Sequence, residues 1–317
     1  MVVVSLIVDT GSSNTWVGAN SSNPYTPTST SYDTGDPVYV AYGTGFFIGT
    51  EFIDQVSLGE GFTISQQSIG VANASADFNG TDGILGIGPT DLTADTVRNS
   101  GLVPTVFDNA FTQGLIDKKI MSIFFEPTNG ILEQNGELTF GGIDESKFTG
   151  NITFVNITTT SPSNQYYGIN QTVHYGNTTI LDNKAGIVDT GTSLFLLATE
   201  AFNTYQQLTG GVMNETLGLL SITPQQYENL QSLFLEIGGR RFELTRNAQI
   251  FPRSLNTAIG GTADSIYLVV AGTGTPLGEG LDFLNGQVML ERFFLVIDAE
   301  NSQVGLATTQ FTNATTN

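Results

Sequence analysis

Along most of the chain apolar and polar residues alternate with a period of two, and the alternating runs end in clusters of Gly, Asn, Asp or Pro. Val38-Tyr39-Val40-Ala41-Tyr42, followed by Gly43-Thr44-Gly45 and an apolar run over residues 46–52, predicts a β-hairpin with a Gly-rich tip. Further strands are predicted over residues 62–69, 137–140, 152–157, 233–237, 241–244, 266–270 and 293–297. Helical spacing is confined to Val106, Phe107, Ala110, Phe111 and Leu115, and to residues 201–208. The pattern is that of an all-β protein with a few short helices packed on its sheets.

The chain also repeats itself. Leu6-Ile7-Val8-Asp9-Thr10-Gly11-Ser12-Ser13 is echoed by Gly186-Ile187-Val188-Asp189-Thr190-Gly191-Thr192-Ser193. A second echo follows in each half, Gly83-Ile84-Leu85-Gly86 and Phe283-Leu284-Asn285-Gly286. Each half then reads as one structural unit. The predicted division is an N-terminal β lobe over residues 1–152 and a C-terminal β lobe over residues 153–317, joined near the polar run at 158–165.

Composition removes most alternatives for chemistry. The 317 residues carry 10 Lys and Arg against 30 Asp and Glu, and no basic residue precedes Arg98. No basic surface is available to neutralise phosphates, which argues against nucleic acid and anionic membrane as partners. There is no Cys, so thiol nucleophiles, thiolate metal sites and disulfides are all excluded. The single His174 excludes any site that needs two imidazoles, and its alternating neighbours Thr172, Val173 and Tyr175 place it on a half-exposed strand. No metal or cofactor is implied. Nine N-x-Ser/Thr sequons, at Asn20, Asn73, Asn79, Asn151, Asn156, Asn170, Asn177, Asn214 and Asn313, point to a secretory route as glycosylation candidates. Residues 1–8 are apolar but too short for a signal peptide's apolar region with its flanks or for a membrane span.

Carboxylates remain. One Asp-Thr-Gly triplet is an ordinary turn, but two, each after a run of apolar β-formers and each followed by a hydroxyl residue, put a carboxylate at the end of a buried strand in both halves. If a pseudo-twofold axis relates the halves, Asp9 and Asp189 meet, and like-charge repulsion prevents both from ionising. The pair then shares one proton and titrates as a unit, one step below and one near or above about 4. A water between them is deprotonated by the ionised member as it attacks an amide carbonyl, while the protonated member donates to the carbonyl oxygen. Thr10 and Thr190 are placed to lock the loops through hydroxyl-to-backbone bonds. Gly11 and Gly191 allow close backbone approach, and Ser12 and Thr192 can donate to the outer carboxylate oxygens.

These loops, with Trp16-Val17-Gly18, Tyr42-Gly43-Thr44-Gly45, Asp82-Gly83-Ile84-Leu85-Gly86, Val106-Phe107-Asp108-Asn109 and Gly141-Gly142-Ile143-Asp144, resemble the pepsin family of aspartic endopeptidases over nearly the whole chain. The likeness is greatest to the cysteine-free secreted enzymes of basidiomycete fungi. It implies a bilobal pepsin-like fold, two pseudo-twofold-related β lobes with an active-site cleft between them, and peptide hydrolysis at acidic pH. By the same resemblance Asp9 and Asp189 are the catalytic dyad, Tyr42 sits on a flap over the substrate, and Trp16 holds that tyrosine through an indole hydrogen bond. Gly43, Thr44, Gly11, Gly191, Thr192 and Ser193 line a cleft that binds protein or peptide substrates as an extended strand. Ile7 and Tyr42 border the pocket on the acyl side of the scissile bond, which implies a preference for large apolar residues. Inhibition by statine-type peptides such as pepstatin, a monomeric state and an extracellular location are further implications.

Two features depart from the family pattern. Asp9 is nearly terminal, where the family has a further strand, so the chain is expected to be short at its N-terminus and to bare a sheet edge. Asn285 stands where an apolar residue is usual, which predicts poorer packing beneath Asp189. The rival reading is a pepsin-fold binding or inhibitor protein that no longer cleaves, or an inactive short form. Such relatives lose a catalytic Asp, the flap tyrosine or the second Asp-Thr-Gly, and all three are present here. A structural β-rich glycoprotein accounts for the sequons but not for the paired loops.

Overall fold

The computed structural model describes residues 3–128, 130 and 135–317. The chain divides into two compact units, one running through Lys119 and the other from Ile120 to Asn317.

The first unit contains β1 (Leu6–Asp9), β2 (Thr15–Val17), β3 (Tyr32–Ala41), β4 (Phe46–Gly59), β5 (Phe62–Ala76), β6 (Gly83–Gly86) and α1 (Val106–Thr112). Its six-stranded sheet has the order β1-β6-β2-β5-β4-β3. The hairpin read from the sequence is β3–β4, with Ala41 opposite Phe46 and the tip closed by Tyr42 N–H to Gly45 O at 3.0 Å. Alternation along β4 sends Phe47, Gly49 and Glu51 to the buried side and Phe46 and Ile48 to solvent. Phe47 stacks on Trp16 with ring centroids 4.4 Å apart, and Ile84, Val38, Val97 and Val103 complete this core. Full burial of Phe47 contributes about 2 to 3 kcal/mol relative to exposure. β1 is an edge strand of the sheet, and Val3 just ahead of it is 80% exposed. α1 starts where Thr105 accepts from Asp108 N–H while the Asp108 carboxylate accepts from Thr105 N–H, a reciprocal cap.

The second unit begins with β7 (Ile120–Phe124), β8 (Glu137–Phe140), β9 (Thr149–Asn156), β10 (Gly168–Tyr175), β11 (Thr178–Val188) and β12 (Phe195–Leu197). It continues with α2 (Thr199–Thr209), β13 (Val212–Asn214), β14 (Leu219–Ile222), α3 (Pro224–Glu228), β15 (Leu233–Ile237), β16 (Arg240–Leu244), β17 (Ile266–Tyr267) and β18 (Val270–Gly272). It ends with β19 (Phe283–Asn285), α4 (Gln287–Leu290), β20 (Phe293–Asp298) and β21 (Gln303–Thr308). A seven-stranded sheet runs β16-β15-β10-β11-β19-β12-β18, and a five-stranded sheet runs β8-β7-β20-β21-β9. The sequence-based lobe boundary at 152/153 falls inside β9, whose Thr153 and Phe154 face Leu306 and Gly305 of β21.

One predicted strand is corrected. Residues 266–270 do not form a single strand: β17 belongs to a three-stranded sheet with β13 and β14, and β18 pairs with β12. Residues 266–271 are buried throughout, so the segment has no polar face to report where the chain passes from one sheet to the other. Among the described residues no helix is long and apolar enough to cross a membrane.

Candidate active site

Each aspartyl loop is held by the end of the neighbouring strand. β1 runs parallel to β6 with Asp9 opposite Gly86, and β11 runs parallel to β19 with Val188 opposite Asn285. In the first unit Ile87 N–H donates to Asp9 O at 2.8 Å and Gly88 N–H to Ser12 O at 2.8 Å. In the second, Gln287 N–H donates to Thr192 O at 2.7 Å and Val288 N–H to Ser193 O at 3.1 Å. This close approach requires glycine. A Cβ on Gly86 would lie 2.6 Å from Asn14 N, and one on Gly286 would lie 2.2 Å from Leu194 O. The second echo in the sequence is thus the strand and turn that brace the first.

The two carboxylates are bonded alike. Asp9 Oδ1 accepts from Gly11 N–H at 2.8 Å and its Oδ2 from the Ser12 hydroxyl at 2.5 Å. Asp189 Oδ1 accepts from Gly191 N–H at 2.9 Å and its Oδ2 from the Thr192 hydroxyl at 2.5 Å. Both side chains are buried, at 5% and 7% exposure. Thr10 and Thr190 are buried beside them, and Ser193 is exposed.

The Tyr42 side chain of the hairpin tip lies near Asp9 and Ser12. Gly43 and Thr44 are exposed while Tyr42 is half-buried. Burial, and then the charge of Asp9, push the Tyr42 hydroxyl well above the ordinary phenol range, while Trp16 and Ser12 oppose the shift. The expected hydrogen bond from the Trp16 indole differs in form. Trp16 Nε1 lies near enough to act on the tyrosine electrostatically, but neither it nor Tyr42 Oη makes a hydrogen bond of good geometry. The two rings are bridged instead by Phe78, edge-on to Trp16 at 5.0 Å and to Tyr42 at 5.2 Å. Phe78 was missed because it lies in the irregular stretch after β5, outside any periodic pattern. Ile7 on β1 is 37% exposed.

The packing expected to suffer at Asn285 is intact. Asn285 and Gln171 exchange two hydrogen bonds, Asn285 Nδ2 to Gln171 Oε1 at 2.9 Å and Gln171 Nε2 to Asn285 Oδ1 at 3.1 Å. Both are fully buried, and the Asn285 carbonyl accepts Asp189 N–H at 3.1 Å. A matched amide pair thus fills the place of apolar side chains without leaving an unsatisfied group. Asn285→Leu alone is expected to lower stability by about 1 to 3 kcal/mol by orphaning Gln171. Adding Gln171→Leu is expected to restore most of it, as urea unfolding of the single and double variants would show.

His174 sits on β10, half-buried, with Nδ1 3.0 Å from Thr179 Oγ1 and Nε2 3.6 Å from Glu236 Oε2, both on exposed residues. Of the sequon asparagines, Asn20, Asn73, Asn79, Asn151, Asn156, Asn170, Asn177 and Asn313 are exposed and Asn214 is half-buried.

Residues 3–309 match the family model described as eukaryotic aspartyl protease. The chain belongs to the eukaryotic aspartyl protease family. It is 57% identical over 316 residues to polyporopepsin of Irpex lacteus, covering 99% of this chain and 92% of that one. Rhizopuspepsin-1 of Rhizopus niveus is 33% identical and pepsin A of Canis lupus familiaris 30% identical, each over 96% of this chain and covering 75% and 77% of those proteins. The crystal structure of the aspartic proteinase from Irpex lacteus superposes with a TM-score of 0.96 at 56% identity, covering 99% of this chain and 92% of that one. The fold is therefore pepsin-like and mostly β, and the chain is an aspartic endopeptidase.

Proposed function

We propose that Asp9 and Asp189 act as one catalytic pair that hydrolyses peptide bonds in acid. The observation that carries this reading is the identity of the two loops: each presents one buried carboxylate, oriented by a glycine N–H on Oδ1 and a hydroxyl on Oδ2. Repulsion between two neighbouring carboxylates keeps both from ionising together and separates the pair's two ionisations. Over the acidic interval between the two steps one member is a base and the other an acid. The base takes a proton from a water as that water attacks the scissile carbonyl, and the acid donates to the developing oxyanion. The carboxyl that took the water's proton passes it to the departing amine, the other regains its proton from the hydroxyl as the carbonyl re-forms, and no covalent intermediate forms.

Tyr42, Gly43 and Thr44 cover the substrate from the hairpin tip, where free backbone groups bind it as an added strand. Ile7, Tyr42 and the adjoining Phe78 give the acyl-side pocket its apolar character and select large apolar residues. One chain carries both loops, so a monomer suffices. The sequons and the excess of acidic over basic residues support an extracellular, acidic place of work.

Pepstatin, whose statine hydroxyl stands in for the attacking water, is expected to abolish cleavage of an apolar-rich peptide in acid. It is also expected to raise the unfolding free energy by about 4 kcal/mol at a thousandfold excess over its Kd. Differential scanning calorimetry with and without the inhibitor checks this, and an unchanged melting temperature would refute the reading.

A further inference from the structure

We propose that Asn73 carries an N-linked oligosaccharide whose first sugar lies in the groove beside the β3–β4 hairpin and covers its outward apolar row. The inference rests on the secretory reading above and adds to it the site and the surface that the sugar occupies.

Pairing between β4 and β5 shifts from Ile48 opposite Ala74 to Gly49 opposite Ala72, so Asn73 is the extra residue of a β-bulge. It is exposed and lines a groove of about 650 Å³. One wall is apolar: Tyr39 and Ile48, cross-strand partners, are 56% and 43% exposed, and the Phe46 ring lies 6.5 Å from that of Tyr39. A polar wall is made by Arg98, Asn99 and Ser100, carried by the segment that bonds to the edge of β3. A pyranose has an apolar C–H face and a rim of hydroxyls, which suit these two walls. Apolar side chains exposed in a contiguous row mark a surface that something covers.

Asn73 is also free to be modified. Its side-chain amide makes no hydrogen bond among the described residues, so nothing holds Nδ2 away from the groove. None of the other eight sequons lines this groove. In the transfer, Asn73 Nδ2 forms a bond to C1 of the sugar on a lipid-pyrophosphate-linked oligosaccharide. The C1–O bond to the pyrophosphate breaks, the lipid pyrophosphate leaves, and the amide nitrogen gives up one proton.

The test is secretion of the full chain from a eukaryotic host, enzymatic release of N-glycans in heavy-oxygen water, and peptide mapping for Asn converted to labelled Asp. Label is expected at Asn73. Asn73→Gln, and independently Ser75→Ala, are expected to raise the fluorescence of anilinonaphthalene sulfonate severalfold and to speed amide hydrogen exchange at residues 38–49. Label at other sequons with Asn73 unmodified overturns the inference while leaving the secretory reading standing. No label at any sequon overturns both. Label at Asn73 with dye binding and exchange unchanged in both variants overturns the packing of the sugar on the hairpin.

Discussion

Asp189→Asn is expected to lower kcat for peptide cleavage by about 1,000-fold or more, with Asp9→Asn doing the same and the double variant little worse. Each single change removes one half of a device that needs a base and an acid together, so the effects do not add. The loops themselves are expected to survive. An asparagine at 189 keeps an oxygen to accept from Gly191 N–H and turns its amide to the Thr192 hydroxyl, which has lone pairs to accept it. The melting temperature is therefore expected to stay within a few degrees of the parent. A variant that unfolds would show that the carboxylate is needed for the fold and would leave the pairing without support.

Glu51→Gln is expected to stabilise the protein at neutral pH and to leave it unchanged in acid. Glu51 lies on the buried side of β4, 4% exposed, with Ser68 donating to Oε1 and no partner for Oε2. Burial, reinforced by the nearby charge of Asp36 and opposed by Ser68, raises its pKa from 4.5 to about 7. In the unfolded chain it ionises near 4.5, so between that pH and about 7 the unfolded state has released a proton that the folded state still holds. Stability falls over that interval, by about 3 kcal/mol in total. The glutamine variant has no proton to lose and keeps an oxygen for Ser68. Urea unfolding at acidic and neutral pH checks this: equal midpoints in acid and a higher midpoint for the variant at neutral pH are expected. Equal midpoints at both would show that Glu51 ionises freely in the folded state.

Asp54 has the opposite sign. Its carboxylate accepts from Tyr25, Thr30 and Ser31 hydroxyls and from Gln55 N–H, and these donors outweigh burial to bring its pKa down to about 2. The tie it makes to the 25–31 segment is fully present above the ordinary carboxyl range and is lost only as pH falls through about 2. Of these two groups, Glu51 costs stability only above mild acid and Asp54 contributes through it.

The sequence was most legible where one strand face meets solvent. The β3–β4 hairpin, β15 and β16 follow from alternation, and both aspartyl loops and their bracing strands follow from the repeat. The buried segment 266–271 was not legible, because a strand that changes sheets shows no polar side. Helix α3 is too short for periodicity, and only its chemistry announces it, through Thr223, Pro224 and Gln226 at the cap. Gln171 occupies an inward position of β10 between Ile169 and Val173, where alternation predicts an apolar residue. Only its partner, 114 positions away, explains it. Glu51 and Phe78 likewise acquire meaning from neighbours that no local pattern reveals.

The most direct measurement is the pH dependence of kcat/KM for an internally quenched, apolar-rich peptide cleaved by the full chain. A paired dyad predicts a bell confined to acid, with two ionisations flanking its maximum, and no bell in Asp9→Asn or Asp189→Asn. A single ionisation with activity sustained to neutral pH, or cleavage of undiminished rate in either variant, would contradict it.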